Sequence, residues 1–514
     1  MRQAWYRPHA SGKLPYVRSF DRRELLVRTA GVVAAGSTVG RLVGDGLAAA
    51  GVDPRLRELQ RLVSGPVLGR RSRGYEAARL VYNERFDRVR PFAVVRPTGV
   101  ADVQAVVRWS RKTGVAIVPR SGGHSYAGYS TGSGVVVDLS GLRGIHVQGR
   151  TATVGAGARL IDVYAALAAR GGTVPAGSCA TVGIGGLALG GGIGLASRRL
   201  GTTSDNVESL RIVTADGRVR DCDERRNEDL YWACRGGGGR NFGIVTSFRL
   251  RVTPVSRASY FFASWPWEAA AEIVPAWQRW APHAPDALMT LCRLSTGGSA
   301  PSLQVFGQYL GPESKLRGLL APLVHAATPS NLTTGTSGYL DLMLRWAGCR
   351  GRSQAACHLV SEHGVLERAA FLGKSDYVGK PFPARAVLAL QHRIEARQSS
   401  GHGSGALIMD AYGGAIGRVR PDATAFVHRS PLCSMQYLAY WGADQHEAPS
   451  LAWIRGFHNA MRSYVTGAAY QNYADPDLKD WRRAYYGSNY ARLVDVKRRF
   501  DPDRLFRFPQ AIGE

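Results

Sequence analysis

An α+β architecture in two domains is the fold class this chain predicts, on three observations. Its 514 residues exceed what one hydrophobic core usually supports, so two domains are the natural prior. From Pro91 onward, short buried-type strands alternate with helically spaced segments. After about Val255 the pattern shifts to alternating, tryptophan-rich stretches. With 45% hydrophobic residues, 20% charged residues and 62 glycines, the composition fits a globular, loop-rich protein, and no internal repeat is visible.

Residues 1–50 read as a twin-arginine signal or an N-terminal extension. Arg22 and Arg23 precede an alanine- and glycine-rich stretch running to about Gly40, and Ala48-Ala49-Ala50 offers a cleavage site. Arg28, Arg41 and Asp45 interrupt the apolar region, so an amphipathic N-terminal helix is the competing reading. The signal implies a secreted or extracytoplasmic protein; without it the chain is cytoplasmic. No segment approaches the ~20 apolar residues of a membrane span.

The first domain, 55–255, is built from recognisable pieces. Phe92 to Pro97 reads as a strand, Val100 to Thr113 as a helix, and Ala116 to Pro119 as a strand running straight into a glycine loop. Val135-Val136-Val137-Asp138 and Thr151-Ala152-Thr153-Val154 are further buried-type strands, and Leu160 to Arg170 is an alanine-rich amphipathic helix. Tyr260-Phe261-Phe262 and the alternating run Leu303 to Tyr309 belong to a second domain, 256–465, of sheet plus covering helices. The segment 466–514, dense in tyrosine and charge, reads as a return to the first domain.

The net charge of +27 invites a nucleic-acid reading, since a basic surface neutralises phosphates. The positive residues are dispersed, with no basic run interleaved with aromatics, which argues against nucleic acid; acidic surfaces and anionic substrates stay open. The seven cysteines show no CxxC pair or His/Cys cluster of zinc spacing, so no metal is expected. Cys349 and Cys357 are close enough in sequence for a small disulfide in an oxidising compartment, but buried free thiols are the favoured reading.

Chemistry concentrates in two glycine-rich loops. Arg120-Ser121-Gly122-Gly123-His124-Ser125-Tyr126 presents a histidine, and Gly177-Ser178-Cys179-Ala180-Thr181-Val182-Gly183 a cysteine. Together they suggest a flavin held by two covalent bonds, through a histidine nitrogen and a cysteine sulfur, and hence an oxidase. The run Gly183 to Gly194 lacks the preceding strand and following acidic residue of a dinucleotide fingerprint. With the glycines at 122 and at 236–243, it suggests repeated close backbone approach to one large ligand.

These residues resemble the vanillyl-alcohol oxidase superfamily and, within it, the berberine bridge enzyme-like group, which includes carbohydrate and glycoside oxidases. The likeness runs from about Gly65 to Ile512. It is carried by the two loops, by Arg235 to Val245, by Gly413 to Arg429, and by Tyr485-Tyr486-Gly487-Ser488-Asn489-Tyr490 followed by Asp501-Pro502. The resemblance implies a two-part FAD-binding domain of the PCMH type, a substrate domain packed over the flavin, and a C-terminal piece rejoining the FAD domain. It further implies that His124 bonds the flavin 8α-methyl and Cys179 its C6. Arg120, Ser121, Gly122 and Gly123 then wrap the pyrophosphate and Ser125 is a further cofactor-binding residue, with Val182, Gly183 and Gly186 near the ring. Gly243, Ile244 and Val245 fall near the adenine end, and Tyr486 and Asn489 close the site. Ala180 departs from the proline often found after the cysteine, and Ser434 stands where plant relatives often carry lysine. Val182 occupies a position where small residues admit oxygen to the reduced flavin.

Alcohol oxidation needs a base for the hydroxyl proton as hydride leaves carbon. Tyr470-Gln471-Asn472-Tyr473 resembles the family's Tyr-x-Asn segment, and on an extended strand residues i and i+2 share one face. Tyr470 is the candidate base, provided neighbouring donors or positive charge stabilise its phenolate. Gln436 matches another active-site segment, and Tyr412 is a second candidate tyrosine. Trp265, Trp267, Trp277 and Trp280 either stack on substrate rings or fill a core. The favoured function is an oxidase of a hydroxyl on a sugar, oligosaccharide or glycosylated natural product, using a small-molecule substrate and O2 to give hydrogen peroxide, as a monomer or weak dimer. The alternatives are oxidative carbon–carbon or carbon–nitrogen chemistry in secondary metabolism, and a flavin-carrying protein without turnover.

Overall fold

The computed structural model describes residues 53–442 and 445–514. The twin-arginine reading of 1–50 lies outside the described residues. The chain is an α+β protein with two main sheets in its first half and one large sheet in its second. Strands Val67–Gly69, Ala93–Val95, Val135–Asp138 and Ile117–Arg120 form a four-stranded sheet in that order, parallel across its last three strands. Val135, Val136 and Val137 are all fully buried, as a parallel strand covered on both faces must be. The Val100–Thr113 helix covers one face through Val103, Val106 and Val107 and ends at Gly114. Strands Ile145–Gln148, Thr151–Gly155, Ile244–Arg251, Val207–Val213 and Val219–Cys222 form an antiparallel five-stranded sheet beside it.

The second half is a seven-stranded antiparallel sheet. Its order is Asn331–Gly338, Arg257–Trp265, Ser302–Tyr309, Leu288–Ser295, Ser404–Ala411, Cys433–Trp441 and Ala370–Val378. Helices Ala270–Trp280, Ala384–Ser400 and Glu447–Met461 cover one face and bury Phe261, Cys292, Leu294, Leu407 and Met409 with it. Trp265 and Trp277 are buried in this rear core, and Trp267 and Trp280 pack against it. Of the two readings for these tryptophans, core filling is the one the fold realises.

The opposite face turns toward the first domain, and three buried charges fix how it sits. Arg198, 1% exposed, donates to the carbonyls of Ala281, Pro282, Ala284 and Leu288 at the start of the Leu288–Ser295 strand. Lys374 Nζ donates at 2.8 Å to both Asp475 and Asp477, tying the edge strand to the C-terminal segment. Arg429 forks onto Asp205 with two 2.8 Å bonds, a bidentate geometry that ammonium groups cannot reproduce. The C-terminal residues Trp481, Tyr485, Leu493, Val496 and Phe500 then pack into the core of the first domain. Among the described residues, no helix is long and apolar enough to cross a membrane.

One sequence reading is corrected here. Cys349 and Cys357 are not free thiols but a disulfide, buried against Ile161, Ala180 and Leu344. The loop between them turns through Gly351, whose φ of 74° is left-handed, and their Cα atoms stand 5.9 Å apart, inside the bridging range. Spacing along the chain does not disclose that approach.

Replacing Arg198 by alanine strips a charged donor from four buried carbonyls, so thermal unfolding should show a loss of about 3 kcal/mol or more. Arg198→Lys should recover only part of it, because a point charge cannot serve four diverging acceptors. Unfolding at the wild-type temperature in both variants would contradict this account.

Candidate functional site

The two glycine loops meet in space. A Cβ added to Gly122 would lie 2.1 Å from the Gly183 nitrogen, so only glycine allows the loop after Ile117–Arg120 to rest on the loop after Cys179. The contact is secured on both sides. Ser121 Oγ donates to the Ala156 carbonyl, and Arg159 Nη1 donates to the Ser121 carbonyl at 2.8 Å. The Arg120 guanidinium points inward to Asp138 at 3.1 Å, so this arginine holds the strand end while the backbone beyond it lines a recess. Tyr82, Gly122, Gly123, Arg159 and Glu362 are among the other walls. Ser125 Oγ accepts from the Tyr129 amide at 2.9 Å, closing the next turn.

His124 and Cys179 stand at this junction. His124 stacks on Tyr82 at 4.1 Å, and its Nε2 shares a 2.9 Å hydrogen bond with Thr181 Oγ1. Burial and the Arg159 charge bring its pKa down to about 3, so the ring is neutral at physiological pH and keeps a nitrogen lone pair. Cys179 is exposed on its loop, while the surrounding protein atoms desolvate the thiol and push its pKa up. Val182 is half-buried and Gly186 exposed; a Cβ on Gly186 would meet nothing within 4 Å. A flat ring thus has bare backbone to lie on, with one nucleophilic side chain at each loop. The residues present fit a flavin dinucleotide.

The candidate catalytic residues arrive from the far end of the chain. Tyr470 and Asn472 do not share a strand face as expected. Residues 471–473 form a 3-10 turn, because the segment has to bend across the glycine run instead of pairing with a sheet. The turn still joins them: Asn472 Nδ2 donates to Tyr470 Oη at 2.8 Å and to the Leu187 carbonyl at 3.0 Å. Gly192, at φ +83°, also donates its amide to Tyr470 Oη at 2.8 Å. Two donors onto one phenol oxygen stabilise negative charge there. Burial outweighs them and raises the phenol's pKa overall.

Tyr412 lies in the same aromatic cluster as Tyr470, with Tyr377 and Phe426, and its hydroxyl is 3.1 Å from that of Tyr377. Gln436 donates to the Tyr126 hydroxyl, linking the large sheet to the His124 loop, and Tyr126 stacks on Tyr473. Tyr486 donates to the Gly237 carbonyl at 3.2 Å, while Asn489 donates to those of Pro421 and Thr424. These two residues brace the surrounding loops. Gly243, Ile244 and Val245 enter the central strand of the five-stranded sheet, where Ile244 and Val245 are buried.

Sequence reasoning missed two charged residues. On the face toward the first domain, Ala406, Ile408, Asp410, Arg293, Gln304 and Phe262 are only half-buried, although their strands are interior to the sheet. An interior strand with one half-exposed face is the floor of a groove. Asp410 lies on that floor with Ser434 Oγ 3.3 Å from its carboxylate, and crowding by protein atoms pushes its pKa up to about 6. Its charge in turn raises the pKa values of Tyr470 and Tyr473. Arg293 lies one strand away, opposite Ile408 and Gln304. Both are solitary charges in apolar alternation, visible in the sequence only as interruptions of a strand pattern.

Comparison with known proteins gives a consistent picture. A family model described as an FAD binding domain matches residues 91–223, and one described as berberine and berberine-like matches 469–513. The FAD-linked oxidoreductase YgaK of Bacillus subtilis is 32% identical over 88% of this chain and 97% of its own length. The structure of berberine bridge enzyme-like 1 from Physcomitrella patens superposes with a TM-score of 0.82 at 34% identity, over 89% of this chain and 99% of that one. A chitooligosaccharide oxidase superposes with a TM-score of 0.80 at 28% identity, over 90% and 99%.

A methyl group at Gly122 should force the two loops apart. Gly122→Ala is expected to purify with severalfold less flavin absorbance per protein than wild type; full flavin content would show that the loop contact does not form the cofactor site.

Proposed function

The chain belongs to the berberine bridge enzyme-like family of FAD-linked oxidoreductases, and from that premise we propose an oxidase that carries FAD on two covalent bonds and acts on a substrate hydroxyl carbon. The observation that carries this reading is the junction of a neutral His124 and an exposed Cys179 on two abutting glycine loops. FAD held between these loops would supply the hydride acceptor, with O2 as the proposed final oxidant giving hydrogen peroxide. His124 serves as the tether to the 8α-methyl and Cys179 as the tether to C6. Val182, half-buried beside the two loops, would be the small residue that leaves oxygen a way to the ring.

The protein's own part in the reaction is to place the substrate hydroxyl and take its proton. Tyr470 Oη accepts two donors, from Gly192 and Asn472, and it is in the phenolate form those donors favour that it would receive the proton as hydride leaves. Asp410 is the nearby acid, with a pKa raised to about 6; once ionised, it is a second acceptor for the proton released from the substrate hydroxyl. Gln436 and Tyr412 frame the site. The polar floor of the groove supports a hydroxylated, sugar-like substrate over an apolar alkaloid, as does likeness to a chitooligosaccharide oxidase. The buried Cys349–Cys357 disulfide supports an extracytoplasmic location of the kind a twin-arginine signal would give.

Acid precipitation tests the tethers: the yellow colour should pellet with the protein, should still pellet in His124→Ala and in Cys179→Ala, and should be released only in the double variant. Colour in the wild-type supernatant would refute covalent attachment. Tyr470→Phe should keep the flavin and lose about a hundredfold or more in turnover; a near-normal rate would move the base elsewhere. Because the Asp410 pKa is raised and the working form is ionised, kcat should climb with pH through about 6. Asp410→Asn should abolish that inflection, and its survival in the variant would assign it to another group.

A further inference from the structure

Sheet register lays a row of four polar residues and one isoleucine across the groove floor. Ser375, Gln436, Ile408, Arg293 and Gln304 are successive cross-strand partners on one face. One end of the row is the catalytic end, since Tyr470 donates its amide to Ser375 Oγ at 2.9 Å and Gln436 bonds Tyr126 of the His124 loop. The other end carries the arginine. Its guanidinium bonds Gln304 and lies 5.8 Å from the centre of the Phe306 ring. These contacts hold the guanidinium beside Gln304 and Phe306. Adjacent strands are about 4.8 Å apart, so the backbone at Gln436 and at Arg293 is separated by on the order of 10 Å. The arginine side chain spans part of that distance and leaves the width of roughly one six-membered ring.

We infer that Arg293 anchors a carboxylate on the substrate, so that the enzyme prefers single-ring hydroxy acids of the uronic type to their neutral counterparts. This inference rests on the oxidase reading above. Arginine's planar fork matches carboxylate geometry bidentately. The floor is also bipolar: Asp410 is paired with Leu291, two residues from Arg293 on the same strand. A substrate carrying an anionic group at one end and a hydroxyl at the other is therefore turned with its anion toward Arg293 and its hydroxyl toward Asp410 and Tyr470. The chain's net charge of +27 favours the approach of such an anion from solution.

The test uses two ligands with the anomeric position blocked, methyl β-D-glucuronide and methyl β-D-glucoside, titrated against the flavin-loaded enzyme and followed by the flavin difference spectrum and by calorimetry. Wild type should bind the glucuronide at least about tenfold more tightly, the order expected when a charged partner is gained. Arg293→Gln should bring the ratio near one with the flavin spectrum unaltered, and Arg293→Lys should restore part of it. Equal binding of both ligands by wild type would overturn the inference, as would a preference that survives in Arg293→Gln, which would reflect net charge alone. A glucuronide preference that depends on Arg293, in an enzyme whose flavin no hydroxylated compound reduces, would uphold the anchor and remove the oxidase reading.

Discussion

The site depends on a contact that only glycine permits. Gly122 and Gly183 bring two backbones so close that a single methyl group would overlap a peptide nitrogen, and that closeness brings the loop of His124 against the loop of Cys179, where His124 bonds Thr181. Neither side chain is unusual by itself: a histidine stacked on a tyrosine and an exposed thiol are common. Their joint position is what makes a doubly tethered flavin chemically reasonable, since an open groove cannot retain a cofactor by enclosure. The neutral state of His124 follows from the same crowding, because the walls that form the recess also exclude the water that would stabilise an imidazolium.

The groove above it is the product of a second constraint. A sheet of seven strands would ordinarily bury both faces of its interior strands, one under helices and the other under the neighbouring domain. Arg198, Lys374 and Arg429 are buried charges at the boundary, and each needs its particular partners to offset desolvation. They fix the two halves at places that leave the middle of the front face open. There the strands Leu288–Ser295 and Ser404–Ala411 show alternating burial, and the polar residues of their open faces become the floor on which a substrate lies.

Much of this was legible in the sequence, and what was not has a common cause. The Val100–Thr113 helix and the Val135–Asp138 strand follow from local periodicity and formed where that periodicity put them. The loops of His124 and Cys179 were legible because glycines with a nucleophile carry their own chemistry. Tyr470 and Asn472, expected to share one strand face, are joined instead by a hydrogen bond around a 3-10 turn, since the bend of 471–473 is imposed by the distant Leu187 and Gly236 carbonyls to which the segment bonds. Asp410 and Arg293 went unnoticed because their significance lies in register, which is set by pairing between strands more than a hundred residues apart. The same non-locality hid the disulfide and left the tryptophans ambiguous until the sheet had a front and a back.

The measurement that bears most directly on the central claim is the visible spectrum of the purified protein held without oxygen and exposed in turn to sugars, uronic acids, hydroxylated aromatics and alkaloids. The oxidase account predicts that a hydroxylated sugar or sugar acid bleaches the flavin, and that air restores the colour with one equivalent of hydrogen peroxide per turnover. Bleaching by alkaloids or aromatics alone would move the chain to a different chemistry. A protein that purifies without flavin would contradict the account altogether.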